Sequence, residues 1–200
     1  SVSGFEGILG GANCIVSRCA LYRPAANGTQ VDALVLGAGS QISHCTLRTT
    51  GSFARIRLGD RVSLVDCTFE TGSTTIGERS VVRGCTILGD HPEGALRTGP
   101  RCLVETGTIW SRDNSGVVLG SGSVIRACIV ERGNGAASIA AAEGCTIEGC
   151  TIRTFDSPGV EVGSNCIVSN NLIQPFSLPP QSDVAGIRAT GTANRIENNH

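Results

Sequence analysis

One short phrase recurs along the chain at a nearly fixed spacing, and that period restricts the fold more than any other feature. The stretches NCIVSRCAL (13–21), SQISHCTL (40–47), VSLVDCTF (62–69), SVVRGCTI (80–87), CLVETGTI (102–109), SVIRACIV (123–130), CTIEGCTI (145–152) and CIVSNNLI (166–173) are variants of it, and NRIENN (194–199) begins a ninth. Anchored on one position, the copies give Cys19, Cys45, Cys67, Cys85, Gly107, Cys128, Cys150, Asn171 and Asn199. The intervals run from 18 to 28 residues with a mean of about 22. Such a period marks a stacked, quasi-one-dimensional architecture in which each copy buries its apolar face against its neighbours.

The columns read through the copies say what each unit is. Three residues before the anchor stand Val16, Ile42, Leu64, Val82, Val104, Ile125, Ile147, Val168 and Ile196, all aliphatic. Two after it stand Leu21, Leu47, Phe69, Ile87, Ile109, Val130, Ile152 and Ile173, again large and apolar. Five before it the residues are mostly small: Cys14, Ser40, Val62, Ser80, Cys102, Ser123, Cys145, Cys166 and Asn194. Alternation with period two within a copy predicts short strands with alternate residues inward. The −5 and −3 positions fall on one strand, the 0 and +2 positions on the next, with a two-residue corner between. Upstream lies a third strand, as in Leu34–Leu36, Ile56–Leu58, Val117–Leu119 and Val160–Val162, followed by a Gly-rich turn. The 27 glycines are expected to serve sharp corners that need positive φ. The fold expected is all-β: a single-stranded right-handed parallel β-helix of about nine rungs, three short strands per rung, over residues 1–200 as one domain.

In these rungs, "CIVSNNLI" and "NRIENN" especially, the chain resembles the right-handed parallel β-helix repeat proteins of the pectin-lyase-like superfamily. The resemblance covers essentially the whole chain. It implies the fold, and a choice of functions: pectate lyases, polygalacturonases, epimerases, phage tailspikes, adhesins and non-catalytic surface proteins share it. Many members stack Asn at the corner that here carries Cys; this chain keeps Asn only at Asn171 and Asn199.

Ten cysteines in 200 residues suggest a disulfide or metal protein until they are phased. Cys14, Cys102, Cys145 and Cys166 then fall in one inward column, and Cys19, Cys45, Cys67, Cys85, Cys128 and Cys150 in the other. Aligned Cβ atoms about 4.8 Å apart exceed the usual disulfide span of about 3.5–4.5 Å, so reduced core thiols are expected. A bridge around a corner, such as Cys14 to Cys19, and a soft-metal site in the Cys19–Cys85 stack are the alternatives. No metal ligand set and no cofactor is assigned.

Function must then lie on outward columns and loops. The first-strand face reads Val35, Arg57, Thr75, Arg97, Val118, Ala140, Glu161 and Arg188, with Arg55 beside Arg57. The resemblance places saccharide on this face and its flanking loops, where Arg55, Arg57 and Arg97 could hold anionic sugars bidentately; Trp110, Arg112, Glu161 and Arg188 complete the ligand candidates. The second-strand face carries Ile15, Val81, Leu103, Val124 and Ile167, a candidate lateral interface between chains. The third-strand face carries Thr46, Thr68, Thr86, Thr108 and Thr151. Asp90, His91 and Glu93 form the compact acid/His cluster, the weak candidates for catalysis. A hydrolase would need two carboxylates at a defined separation, and a lyase with a Lys base is excluded because all 16 basic residues are Arg.

A net charge of −1 argues against a generic nucleic-acid binder, and no 18-residue apolar run exists to insert into a membrane. Phe5–Leu9 enters a rung at once and Asn199-His200 stops inside one, without visible caps, so the expectation is either a segment of a longer chain or end-to-end or lateral self-association. The resulting expectation is a non-catalytic extracellular or cell-surface structural or binding module, with a glycan as ligand. The alternatives are a polysaccharide-active lyase, hydrolase or epimerase using Arg57, Arg97 and the 88–94 loop, and a tailspike-like shaft.

Overall fold

The structure is a computed structural model that describes residues 7–24, 31–50, 54–89, 91, 93–112, 114–132, 136–155, 157–175 and 186–200. Its strands form three parallel sheets. The first takes nine strands from Ile8–Gly10 to Ile187–Ala189, the second nine from Ile15–Ser17 to Arg195–Glu197, and the third eight from Ala20–Pro24 to Leu172–Pro175. Every third strand joins the same sheet, so the chain coils past all three and steps up one rung. Eight rungs carry all three strands and a ninth carries two, slightly fewer full turns than the nine anchors suggest.

Register is strict because each rung inserts its aliphatic residues over those below. Ile42 pairs with Leu64, Leu64 with Val82, Val104 with Ile125 and Ile147 with Val168. All of these are buried, as are Leu47, Phe69, Ile87, Ile109, Val130 and Ile152 of the third sheet and Leu34, Ile56, Leu96, Val117, Ile139 and Val160 of the first. Ladders of like residue on like residue give a core that aliphatic side chains alone can fill, which suits a chain that is 4% aromatic.

The corners differ from expectation in two ways. The two small columns do not lie on strands; they occupy the corners just before the second and third strands. And positive φ is mostly not supplied by glycine. The first corner turns at Asn13, Gly39, Arg61, Arg79, Arg101, Gly122, Gly144, Asn165 and Ala193, and the second at Arg18, His44, Asp66, Gly84, Thr106, Ala127, Gly149, Asn170 and Asn198, all with φ between 51° and 73°. Left-handed backbone costs an L-residue about 1–2 kcal/mol. It is held here because the corner N–H still finds a carbonyl one rung up, as Arg61 does on Glu78 at 2.8 Å and Asp66 on Arg83 at 2.9 Å.

The glycines that the fold needs stand elsewhere, in the column that leaves the first sheet: Gly37, Gly59, Gly77, Gly99, Gly120 and Gly163, interrupted by Ala142. Successive backbones approach so closely there that a Cβ on Gly99 would lie 2.7 Å from the backbone N of Glu78, and one on Gly120 2.5 Å from the backbone carbon of Gly99.

The small corner residues are polar for a reason. Ser40 accepts the N–H of Cys14 at 3.1 Å and donates to the Gly37 carbonyl at 2.8 Å; Ser80 and Ser123 accept the N–H groups of Val62 and Cys102, both at 3.0 Å. In the second column the Cys85 sulfur accepts the Cys67 N–H at 3.5 Å, and thiols donate to the carbonyl two residues back, as Cys67 does to Val65 at 3.2 Å. All ten cysteines are free; Cys19 is exposed and Cys14 half-buried in the first rung, and the other eight are buried. Burial pushes the Cys45, Cys102 and Cys145 thiols up. For Cys85 and Cys128 the hydrogen bond to the neighbouring thiol, then burial, does the same. The cysteines are thus small core fillers, and they also pair backbone groups that a corner would otherwise leave unsatisfied.

Candidate functional site

Three outward faces run the length of the coil, and the register places the sequence candidates on them. On the first sheet Arg57 pairs with Val35 and Thr75, Thr75 with Arg97, and Glu161 with Arg188. Arg57 and Arg97 therefore stand two rungs, or about 9.6 Å, apart. Asp32 lies beneath: it makes an ion pair with Arg57, and its carboxylate is 3.4 Å from Arg55 Nε. Arg188 meets Glu161 at 3.5 Å. Arg97 has no ion pair among the described residues, and Asp32 sets one charge against two arginines, so this face keeps a positive excess.

Trp110 and Arg112 do not join that face. Trp110 belongs to the outer face of the third sheet, on strand Thr108–Ser111, and Arg112 follows it, its N–H donating to the Gly89 carbonyl at 3.3 Å. Of the acid/His cluster, Asp90 lies outside the described residues. His91 is buried at 7% exposure; its Nδ1 accepts the Glu93 N–H at 3.2 Å and its carbonyl accepts the Gly94 N–H at 2.9 Å. The described part of the cluster is a turn organised around His91.

The second-sheet stripe is continuous where Val81, Leu103 and Val124 pair in succession, all half-buried, whereas Ile15 and Ile167 are exposed and separated from them by Gln41, Ser63 and Thr146. At its edge stands an arrangement that sequence reasoning missed. Glu105, 7% exposed, receives Arg83 Nε at 2.5 Å from the rung below and Arg126 Nε and Nη2 at 2.9 and 2.6 Å from the rung above. The Arg126 hydrogen bonds, then those of Arg83, hold its carboxyl below the usual carboxylate range. The signal was available, since these residues lie 22 and 21 positions apart, one rung each.

Because the folded pKa is depressed, the stabilisation from Glu105 is present above its unfolded value of about 4.3 and disappears as pH falls through the folded pKa. Glu105→Gln should therefore melt below the wild type at pH 7, and the gap should narrow steadily toward pH 2. Thermal unfolding monitored by circular dichroism across that range checks it; a gap independent of pH would contradict it.

The third-sheet face is a threonine ladder, Thr46, Thr68, Thr86 and Thr108 in register. Beside it runs Arg48, Glu70, Leu88, Trp110, Glu131 and Arg153, in which Arg48 meets Glu70 at 2.6 Å and Arg153 meets Glu131 at 2.5 Å. Among the described residues no three His, Cys, Asp or Glu side chains gather as a metal-binding set.

A family model described as "Right handed beta helix region" matches residues 33–200. No curated protein matches the chain. Among solved structures it is similar to the A-module of mannuronan C-5 epimerase AlgE4 of Azotobacter vinelandii, with 11% identity over 93% of this chain and 87% of that one and a TM-score of 0.35. It is also similar to QnrB1, a plasmid-mediated fluoroquinolone resistance protein, with 12% identity over 90% of this chain and 91% of that one and a TM-score of 0.24. Neither likeness is close enough to carry a functional argument. The family match spans most of the chain and agrees with three parallel sheets wound in one coil: this protein belongs to the right-handed β-helix family.

Proposed function

We propose that the chain is a non-catalytic structural and binding module, a rigid rod that works outside the cell or at its surface, associates with its own kind and presents its faces to glycans. One observation carries this reading: the carboxylates on its strands are committed to arginines. Asp32, Glu70, Glu105, Glu131, Glu161 and Glu197 each lie within 4 Å of an arginine, and among the described residues Glu148 is the one strand carboxylate without such a partner. A general acid must be free to hand a proton to substrate, whereas these carboxylates have arginines as their partners; at Glu105 the Arg126 and Arg83 hydrogen bonds also hold the carboxyl below the usual range. An oxidising location is compatible with ten free cysteines because eight are buried.

The runner-up, a polysaccharide-active enzyme, draws on Arg97, which has no ion pair among the described residues and stands two rungs above Arg57 on the same face. Assaying unsaturated products, reducing ends and uronate epimerisation across a polyuronate panel separates the two. Silence throughout is the expected result, and turnover of any member overturns the reading. Light scattering tests association: concentration-dependent growth is expected, a strict monomer removes the self-association, and a dissociation-resistant trimer favours a tailspike-like shaft joined through Val81, Leu103 and Val124.

A further inference from the structure

We infer that the third-sheet face around Trp110 is a binding platform for a neutral, hydroxyl-rich chain, a linear uncharged glycan lying along the rod axis. This rests on reading the chain as a binding module, and it moves the ligand from the arginine face of the first sheet to a different face with different chemistry.

The face is two columns wide. One is the ladder of Thr46, Thr68, Thr86 and Thr108, half-buried hydroxyls repeating at the rung spacing of about 4.8 Å. In the other, Leu88 pairs with Trp110 at the centre, Glu70 and Arg48 lie below, and Glu131 and Arg153 above. Both carboxylates are closed by their arginines at 2.6 and 2.5 Å, so the column is electrically balanced on either side of an apolar centre. Such a surface offers little to an anion, which would have to displace a carboxylate already in place. It suits a ligand with both apolar and hydroxyl surface: the C–H face of a sugar ring packs on the half-buried indole, and its hydroxyls reach the threonines and the remaining carboxylate lone pairs.

Charge order also argues against a second copy of the chain as occupant. Face-to-face twofold packing with parallel axes sets every side chain against itself. Antiparallel packing centred on Leu88 and Trp110 sets Glu70 against Glu131 and Arg48 against Arg153. Both arrangements oppose like charges, which disfavours an isologous dimer on this face.

Trp110 is the single tryptophan of the chain, so intrinsic fluorescence reads the site directly. The whole chain is titrated with cellohexaose, mannohexaose and laminarihexaose as neutral probes and with polygalacturonate as the anionic one. The expected result is a saturable emission shift with at least one neutral probe that persists at about 0.5 M NaCl, since no charge is recruited. By calorimetry, Trp110→Ala and the Thr86→Val/Thr108→Val pair should each weaken that binding by about tenfold or more. The threonine variant, whose unliganded emission should match the wild type, guards against misfolding, and Arg97→Ala should leave neutral binding unchanged. If only polygalacturonate binds, and Arg97→Ala weakens it, the platform is overturned while the binding-module reading stands. Silence with every probe overturns both.

Discussion

Gly120→Ala should destabilise the protein by about 2–4 kcal/mol, whereas Gly149→Ala should cost about 1 kcal/mol or less. The expectation separates two reasons for a glycine. Gly149 turns the second corner at φ 60°, yet nothing lies within 4 Å of the position a Cβ would take. Seven of the nine residues at the same corner are not glycine, Ala127 among them with φ 51°. The modest left-handed penalty there is partly offset by the smaller conformational freedom of the unfolded alanine chain. Gly120 has no positive φ. Its added Cβ would lie 2.5 Å from both the carbon and oxygen of Gly99 and 2.8 Å from the nitrogen of Pro100. All three are backbone atoms held by ladders on both sides, so relief requires prising two rungs apart. At about 2–4 °C per kcal/mol for a chain of this size, Gly120→Ala should lower Tm by roughly 5–15 °C and Gly149→Ala by at most a few degrees. Thermal unfolding of the two purified variants decides it. Equal effects, or a larger one at Gly149, would mean that the corners rather than the rung contacts limit the coil.

The same residues show how far the sequence could be read. The period and the aliphatic columns predicted the coil, the three strands per rung and the inward direction of the cysteines, because burial acts through spacing and spacing is visible. Spacing also contained the cross-rung ion pairs: Arg48 and Glu70 lie 22 residues apart, as do Glu131 and Arg153. They become apparent only when charged residues are phased with the same care as apolar ones. Asp32 was hidden for a different reason. It sits just before a register shift between Asp32 and Leu34, where the column arithmetic slips, so its position beside Arg55 and Arg57 could not be counted from the anchor. Glycine is the usual sign of positive φ, so the corners do not announce themselves in the sequence: arginine, asparagine and alanine adopt that conformation here under the constraint of the ladder. Trp110 could be counted from the anchor, three residues past Gly107, and it stands on the third-sheet outer face between Leu88 and Glu131 as that count requires.

Asn171→Ala should be among the most damaging single substitutions in the upper rungs, at about 3–5 kcal/mol, and Asn171→Cys should recover roughly half of that loss. Asn171 is 1% exposed. Its Oδ1 accepts the Cys150 N–H at 2.8 Å, and its Nδ2 donates to the Ile147 carbonyl at 3.0 Å and to Asn199 Oδ1 at 2.9 Å. Alanine leaves a donor and an acceptor of the backbone without those partners in a dry core, each costing about 1–3 kcal/mol, and adds a small cavity. Cysteine restores part of this because the chain already uses it so: the Cys128 sulfur accepts the Gly107 N–H at 3.4 Å, and Cys150 donates to the Glu148 carbonyl at 3.4 Å, in the same column. Sulfur is the weaker partner in both directions, so recovery should be incomplete. Asn171→Leu supplies volume without polarity and should resemble alanine. Urea unfolding of the four proteins reads the order directly: wild type, then cysteine, then alanine and leucine together. If leucine equals or exceeds cysteine, the corner column is selected for size alone, and the asparagines and cysteines are interchangeable only as fillers.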